Sequence, residues 1–391
     1  MLELLFLLLP VAAGYGWIMG RNSTKQRAVK SKASLSKQYS DGLNFLLSDQ
    51  EEKAVEHLIE FLEVNADTLE THLTLANLFR KRGEIDKAIE IHEHLNKLEL
   101  ATPQAQKVTF ELAKDYISAG MLGRAEEVLL NVPIDKQNQD YVLQSLVSIY
   151  QTMKDWSKSD QLCESHKNLS KRLTCTLSHH CCELAEETKD NDSVVKWYKK
   201  ALRYDSNCVR ALLALAQMAE NNGDERKAIE EYRHILTLDK SYTPLVLNKL
   251  ELCFERLGQR REFYDYLRQG LTDCQSSKQK PCISMLIKYS AYMTEFENAQ
   301  AALDFVMQSL EKEPNVRAFA QVLELESKVT QSKEAAEQFE RITALVNQYL
   351  AKKPAFECHQ CGFSARQHYW LCPSCQTWGS SKPTPQQISW S

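Results

Sequence analysis

The feature that most constrains the fold is a repeat. The stretches G-E-I-D-K-A-I-E at 83–90, G-M-L-G-R-A-E-E at 120–127 and G-D-E-R-K-A-I-E at 223–230 share a Gly, four residues and then a small Ala. Aligned on that Ala, the chain marks Ala54, Ala88, Ala125, Ser159, Val194, Ala228, Phe263 and Ala299, at steps of 34, 37, 34, 35, 34, 35 and 36. About 34 residues hold two short amphipathic helices, which cannot bury their apolar faces alone and must stack on neighbours. The small residue lets the second helix cross the first closely. The turn between them falls five residues earlier, at Gly83, Gly120, Gly223 and Gly258. Phe45, Phe79, Tyr116 and Tyr150, nine residues before the reference position, are placed to fill the seam, and Tyr198 and Tyr232, four after it, to cover the next layer.

This pattern resembles the tetratricopeptide repeat and predicts an all-α protein, a right-handed α-solenoid of seven to nine helix pairs over residues 37–352. Residues 320–352 read as the closing pair, ended by Pro354 after Lys352-Lys353. Val194 and Phe263 fit the small-residue slot poorly. Solenoids of this kind bind extended peptides or helices on the concave face, where Asn77, Arg80 and Lys81 are candidate contacts; ordinary solvated polar residues are the alternative. Gly and Pro number only 12 and 10, in keeping with helix, and a net charge of −4 gives no electrostatic reason to expect nucleic acid as a partner. No phosphate-binding glycine loop, HExxH or GxSxG is present, so no catalytic residues are assigned and the chain reads as a non-enzyme.

The second strong signal lies near the end. Cys358-His359-Gln360-Cys361-Gly362 and Cys372-Pro373-Ser374-Cys375 are two Cys-x2-Cys knuckles separated by ten residues. Four soft ligands suit a closed tetrahedral metal site, and such paired spacing reads as zinc; two disulfides or four free thiols are the alternatives. Four cysteines leave His359 and His368 no coordination vacancy, and Phe363, Trp370 and Trp378 are expected to cover a mini-domain too small for a core of its own. The CxxCG and CPxC knuckles resemble rubredoxin-type metal ribbons, over 353–391. Their short interval favours one structural ion at Cys358, Cys361, Cys372 and Cys375, zinc first and iron the alternative. His179-His180-Cys181-Cys182 is not read as a second metal site, because neighbouring helical residues diverge by about 100°.

Residues 1–20 are apolar except for Glu3, long enough for one transmembrane span, and a basic linker follows at 21–36. Six cations and no acid between 21 and 40 predict that the bulk of the chain faces the cytoplasm.

An N-terminal span, a tetratricopeptide solenoid and a C-terminal rubredoxin-like ribbon, in that order, resemble the lipopolysaccharide assembly protein B family of Gram-negative bacteria along essentially the whole chain. The resemblance implies a bacterial inner-membrane adaptor that restrains lipopolysaccharide synthesis by promoting degradation of the lipid A pathway deacetylase LpxC by the membrane-bound AAA protease FtsH. A scaffold gathering lipopolysaccharide synthesis or export proteins, and a redox carrier using iron in the knuckles, are the other readings.

Overall fold

The computed structural model describes residues 66–276 and 282–384. The expected span at 1–20, the linker at 21–36 and the first repeat, with Phe45 and Ala54, lie outside them. Among the described residues no helix is long and apolar enough to cross a membrane.

Two compact units divide the chain, Met1–Lys154 and Asp155–Ser391. The first contains α1 (Ala66–Arg82), α2 (Ile85–Asn96), α3 (Thr102–Ser118), α4 (Leu122–Leu130) and α5 (Gln139–Met153). The second begins with α6 (Trp156–Glu164), α7 (Lys171–Glu187), α8 (Asn191–Tyr204), α9 (Val209–Asn221) and α10 (Glu225–Leu238). A 3-10 turn at Lys240–Tyr242 leads into α11 (Thr243–Arg256), α12 (Arg260–Ser276), α13 (Ile283–Phe296), α14 (Ala299–Lys312), α15 (Val316–Val329) and α16 (Lys333–Ala351). A three-stranded antiparallel ribbon closes the unit: β1 (Phe356–Cys358) lies between β2 (Ser364–Ala365) and β3 (Ser381–Pro383).

The reference position is the fourth residue of each second helix, and it is where the core is tightest. Ala88, Ala125, Ser159, Ala228 and Phe263 are fully enclosed. The aromatics follow as expected, with Phe79, Tyr116, Tyr150, Tyr198 and Tyr232 all buried. Phe263 fills its slot with a ring, packing 5.5 Å from Phe254 and 5.4 Å from Tyr292. One alignment needs correction. Ala299 is the first residue of α14 and only half-buried, whereas the fourth, Ala302, is wholly enclosed. The step from Phe263 is longer because α12 extends to Ser276 and a connection precedes α13. The closing pair likewise starts at Val316, capped by Asn315, rather than at 320.

The turn glycines have a shared reason. Gly83, Gly120, Gly223 and Gly258 have φ of 86, 73, 78 and 71°, the left-handed region where a Cβ is strained. Each supplies the residue after a helix's C-cap, and the next N–H reaches back to a carbonyl of the last turn, as in Glu84 N to Phe79 O at 3.0 Å. Lys154, closing α5 at φ 57°, holds the same conformation without being glycine. Lys154→Gly is expected to raise stability by about 1 kcal/mol, because relief of left-handed strain outweighs the added freedom of the unfolded chain. Chemical denaturation checks it: an unchanged midpoint would mean that the lysine is not strained there.

Candidate metal centre and its seat on the helices

The two knuckles are built alike. In the first, Cys358 N–H donates to Phe363 O and Gly362 N–H to Cys358 O, both at 2.8 Å. In the second, Cys372 N–H donates to Thr377 O at 3.1 Å and Gln376 N–H to Cys372 O at 2.9 Å. Each turn needs a left-handed residue four places after its first cysteine: Gly362 at φ 76° and Gln376 at φ 54°. Antiparallel pairing of Cys358 with Ser381 fixes the first knuckle, and the Leu371–Trp378 bridge fixes the second.

These turns gather four sulfurs. All four Sγ atoms lie within 4.8 Å of one another, with Cys358–Cys375 and Cys361–Cys372 at 3.7 Å. A tetrahedral zinc with bonds near 2.3 Å places its sulfurs about 3.8 Å apart. A disulfide needs about 2.05 Å, so the geometry fits a shared ion and not two cystines. Burial pushes the Cys358 thiol up, but the Ser380 hydroxyl and the N–H groups of Cys361 and Gln360 outweigh it and bring it down to about 6. A thiolate, the form that binds metal, is therefore accessible near neutrality. Among the described residues no other group of this kind occurs.

The ribbon does not close the end of the helical stack, as a terminal cap would. It seats against the earlier helices of its own unit. Trp378, 8% exposed, stacks on His179 at 4.9 Å and 11°, meets Trp156 edge-on at 6.4 Å, and lies 5.8 Å from the Arg210 guanidinium. Trp370 stacks on Tyr242 at 6.3 Å, and Lys382 Nζ reaches Asp239 Oδ2 at 2.5 Å. Burying one indole removes roughly 200 Å² of largely apolar surface, a gross gain of roughly 4–6 kcal/mol, whereas a partly exposed ion pair adds at most about 1. The rings hold the ribbon. Phe363 stays 38% exposed and takes no part. His368, no ligand, packs edge-on against Trp370 at 4.3 Å.

Of the four residues His179 to Cys182, set aside as a metal site, the two histidines form part of this seat and the two cysteines face the helical core. His179 meets Trp378, His180 Nδ1 lies 2.8 Å from Ser159 Oγ, and Cys181 and Cys182 are wholly buried. Helical divergence sends each side chain to a different neighbour. The signal in the sequence was two histidines and two cysteines on one apolar turn, which periodicity alone cannot aim.

Burial holds both imidazoles neutral, pushing His179 and His180 down to about 3, with the Arg210 charge adding to the effect on His179. A histidine depressed when folded protonates first when unfolded. Its stabilising contribution is therefore whole above about pH 6.5 and falls between there and pH 3, by up to about 1.4 kcal/mol per unit per histidine. Acidification below pH 6 is expected to release the ribbon, seen as a red shift of tryptophan emission. His179→Phe, which keeps the stack and removes a buried Nδ1 that has no partner, is expected to shift that transition to lower pH. An unmoved transition would place the acid sensitivity elsewhere.

The candidate groove residues lie in the first unit. Arg80 is committed within the protein, to Glu111 Oε2 at 2.6 Å and buried Asp115 Oδ1 at 2.8 Å, with Asn77 Oδ1 accepting from the same guanidinium. Lys81 is exposed. The helices thus bring Asn77 and Arg80 into an internal network and leave Lys81 as the solvated one of the three.

Comparison with known proteins agrees with both parts. Residues 356–383 match the rubredoxin metal binding domain, and residues 209–242 match the tetratricopeptide repeat. The lipopolysaccharide assembly protein B of Escherichia coli (strain K12) is 32% identical over 388 residues, 98% of each chain. That of Haemophilus influenzae is 31% identical over 399 residues, 99% of each. A solved structure of MamA residues 41-end from Desulfovibrio magneticus is 15% identical, with a TM-score of 0.32 over 46% of this chain and 98% of that one.

Proposed function

Because the chain belongs to the lipopolysaccharide assembly protein B family, we propose that it serves lipopolysaccharide assembly as a non-catalytic adaptor at the bacterial inner membrane. In this reading the apolar residues 1–20 anchor it, with the basic stretch after them on the cytoplasmic side. Anchoring confines the helical repeats to the membrane plane, which raises their effective concentration toward membrane-bound partners. The repeats bring the deacetylase LpxC to the protease FtsH. Cys358, Cys361, Cys372 and Cys375 hold one structural ion, zinc in this reading with iron the alternative, which keeps the ribbon folded against α7. The observation that carries the reading is a relationship extending over 98% of the chain.

The test is the half-life of the deacetylase after protein synthesis is stopped, with this protein present and depleted. A several-fold longer half-life on depletion is expected. An unchanged half-life would sink the proteolytic role and leave a scaffold for synthesis or export proteins.

A further inference from the structure

A cavity of about 750 Å³ lies between α10, α12, the start of α13 and the ribbon, away from the thiol cluster. Its helical walls are single faces: Arg233, Leu236 and Thr237 of α10 follow i, i+3, i+4 spacing, with Lys240 in the turn beyond, and Tyr266, Gly270 and Asp273 of α12 follow i, i+4, i+7. Its size is that of a ligand site, and Leu236, Tyr266 and Met285 make its floor apolar. Gly270 has a structural reason, since a Cβ there would come 2.9 Å from Met285 Sδ.

Charge gives the cavity a polarity. Its charged side chains from the helices are Arg233, Lys240 and Asp273, a net excess of one cation. Arg233 is exposed, lies 4.6 Å over the Tyr266 ring and 5.7 Å from that of Phe254, and makes no ion pair with a described residue. A guanidinium fixed by two aromatic rings and lacking a carboxylate is prepared to accept one in bidentate fashion. Beside it α13 begins at Ile283 with no side-chain cap from Cys282, so its first N–H groups have no partner within the helix and favour negative charge.

We propose that this cavity binds a short extended segment of a partner protein, carrying an apolar side chain for the floor and a nearby carboxylate for Arg233. The wall from Arg233 along the end of α10 to Lys240 in the turn after it is about as long as three extended residues. The site takes its lining from the second helices α10 and α12 and from the first turns of α11 and α13. His359, Pro383 and Thr384 of the ribbon form its far wall, so it is complete only while the ribbon is folded. The proposal is independent of the proteolytic role, and its test reads binding alone.

The probes are fluorescein-labelled octapeptides in a Gly-Ser background with one Leu and one Asp spaced one to four residues apart, each with an Asp-to-Lys counterpart. Polarisation is measured on the full-length, zinc-loaded protein. At least one Asp peptide is expected to saturate and to bind about tenfold or more tighter than its Lys counterpart, the size of one charge-assisted contact. Arg233→Glu should invert that preference, and Thr237→Trp, at an exposed position, should abolish binding of both while helicity and zinc content stay unchanged. No saturable binding across the set, or binding indifferent to both variants, would overturn the proposal. Binding that emerges only after residues 385–391 are removed would overturn it too, by making the chain's own tail the occupant.

Discussion

Replacing Cys372 and Cys375 together by serine is expected to cost the protein its metal, its ribbon and its activity at once. The strands are three, two and three residues long, far too short to persist without a staple. Structural zinc contributes apparent binding free energies on the order of 10 kcal/mol at neutral pH, which in so small a module is its folding free energy. Loss of the ion therefore unfolds the module and pulls Trp370 and Trp378 off α7 and Tyr242. The helices keep their own core of leucines, alanines and aromatic rings and should stay folded, so far-ultraviolet dichroism should fall only slightly. Three readouts separate this from general misfolding: metal per chain drops to near zero, tryptophan emission shifts red, and hydrogen exchange rises over 176–182. Chelation of the unmodified protein should reproduce the last two. Cys181→Ser is the contrasting variant, since its thiol is buried and outside the cluster, and metal content should be unaffected. Retention of one metal ion by the double variant would refute the ligand set.

Sequence made the ribbon legible because metal ligation imposes local spacing. Two Cys-x2-Cys turns and their flanking Gly362 and Pro373 need no knowledge of distant residues. The helix pairs were legible for a similar reason, as a repeat writes the same local constraints many times over, and the left-handed glycines confirm four of those sites. What escaped was whatever depends on a single long-range meeting. Nothing local says that Trp378 will stack on His179, nearly two hundred residues earlier, or that Lys382 will reach Asp239. The Ala299 alignment failed because an extended α12 lengthened one step, and equal spacing carries no information about an insertion. The partners of Arg80 escaped for a related reason: the periodicity that aims it at a face cannot show that α3 offers carboxylates to the same face.

That last network makes the second strong prediction. Asp115, wholly buried, accepts from Arg80 Nη1 at 2.8 Å and faces His92 Nδ1, itself fully enclosed. Asp115→Ala leaves a guanidinium only 18% exposed and an enclosed imidazole without their shared acceptor, and is expected to destabilise the first unit by about 3–5 kcal/mol. Against a total of about 5–15 kcal/mol for a domain, that is a fifth or more of its stability. Hydrogen exchange across α1 to α3 reads it directly, and a loss under about 1 kcal/mol would show that water replaces the carboxylate. Asp115→Asn, which keeps an acceptor but no charge, should fall between. The triple variant Arg80→Met, His92→Leu, Asp115→Leu replaces Asp115 and both of its partners by side chains of similar size and should recover most of the loss, since an apolar replacement often matches a buried ionic network. It also separates two roles of Arg80. If the guanidinium serves only to hold α1 against α3, the triple variant regains function with stability. If it also touches a partner, stability returns and deacetylase turnover does not.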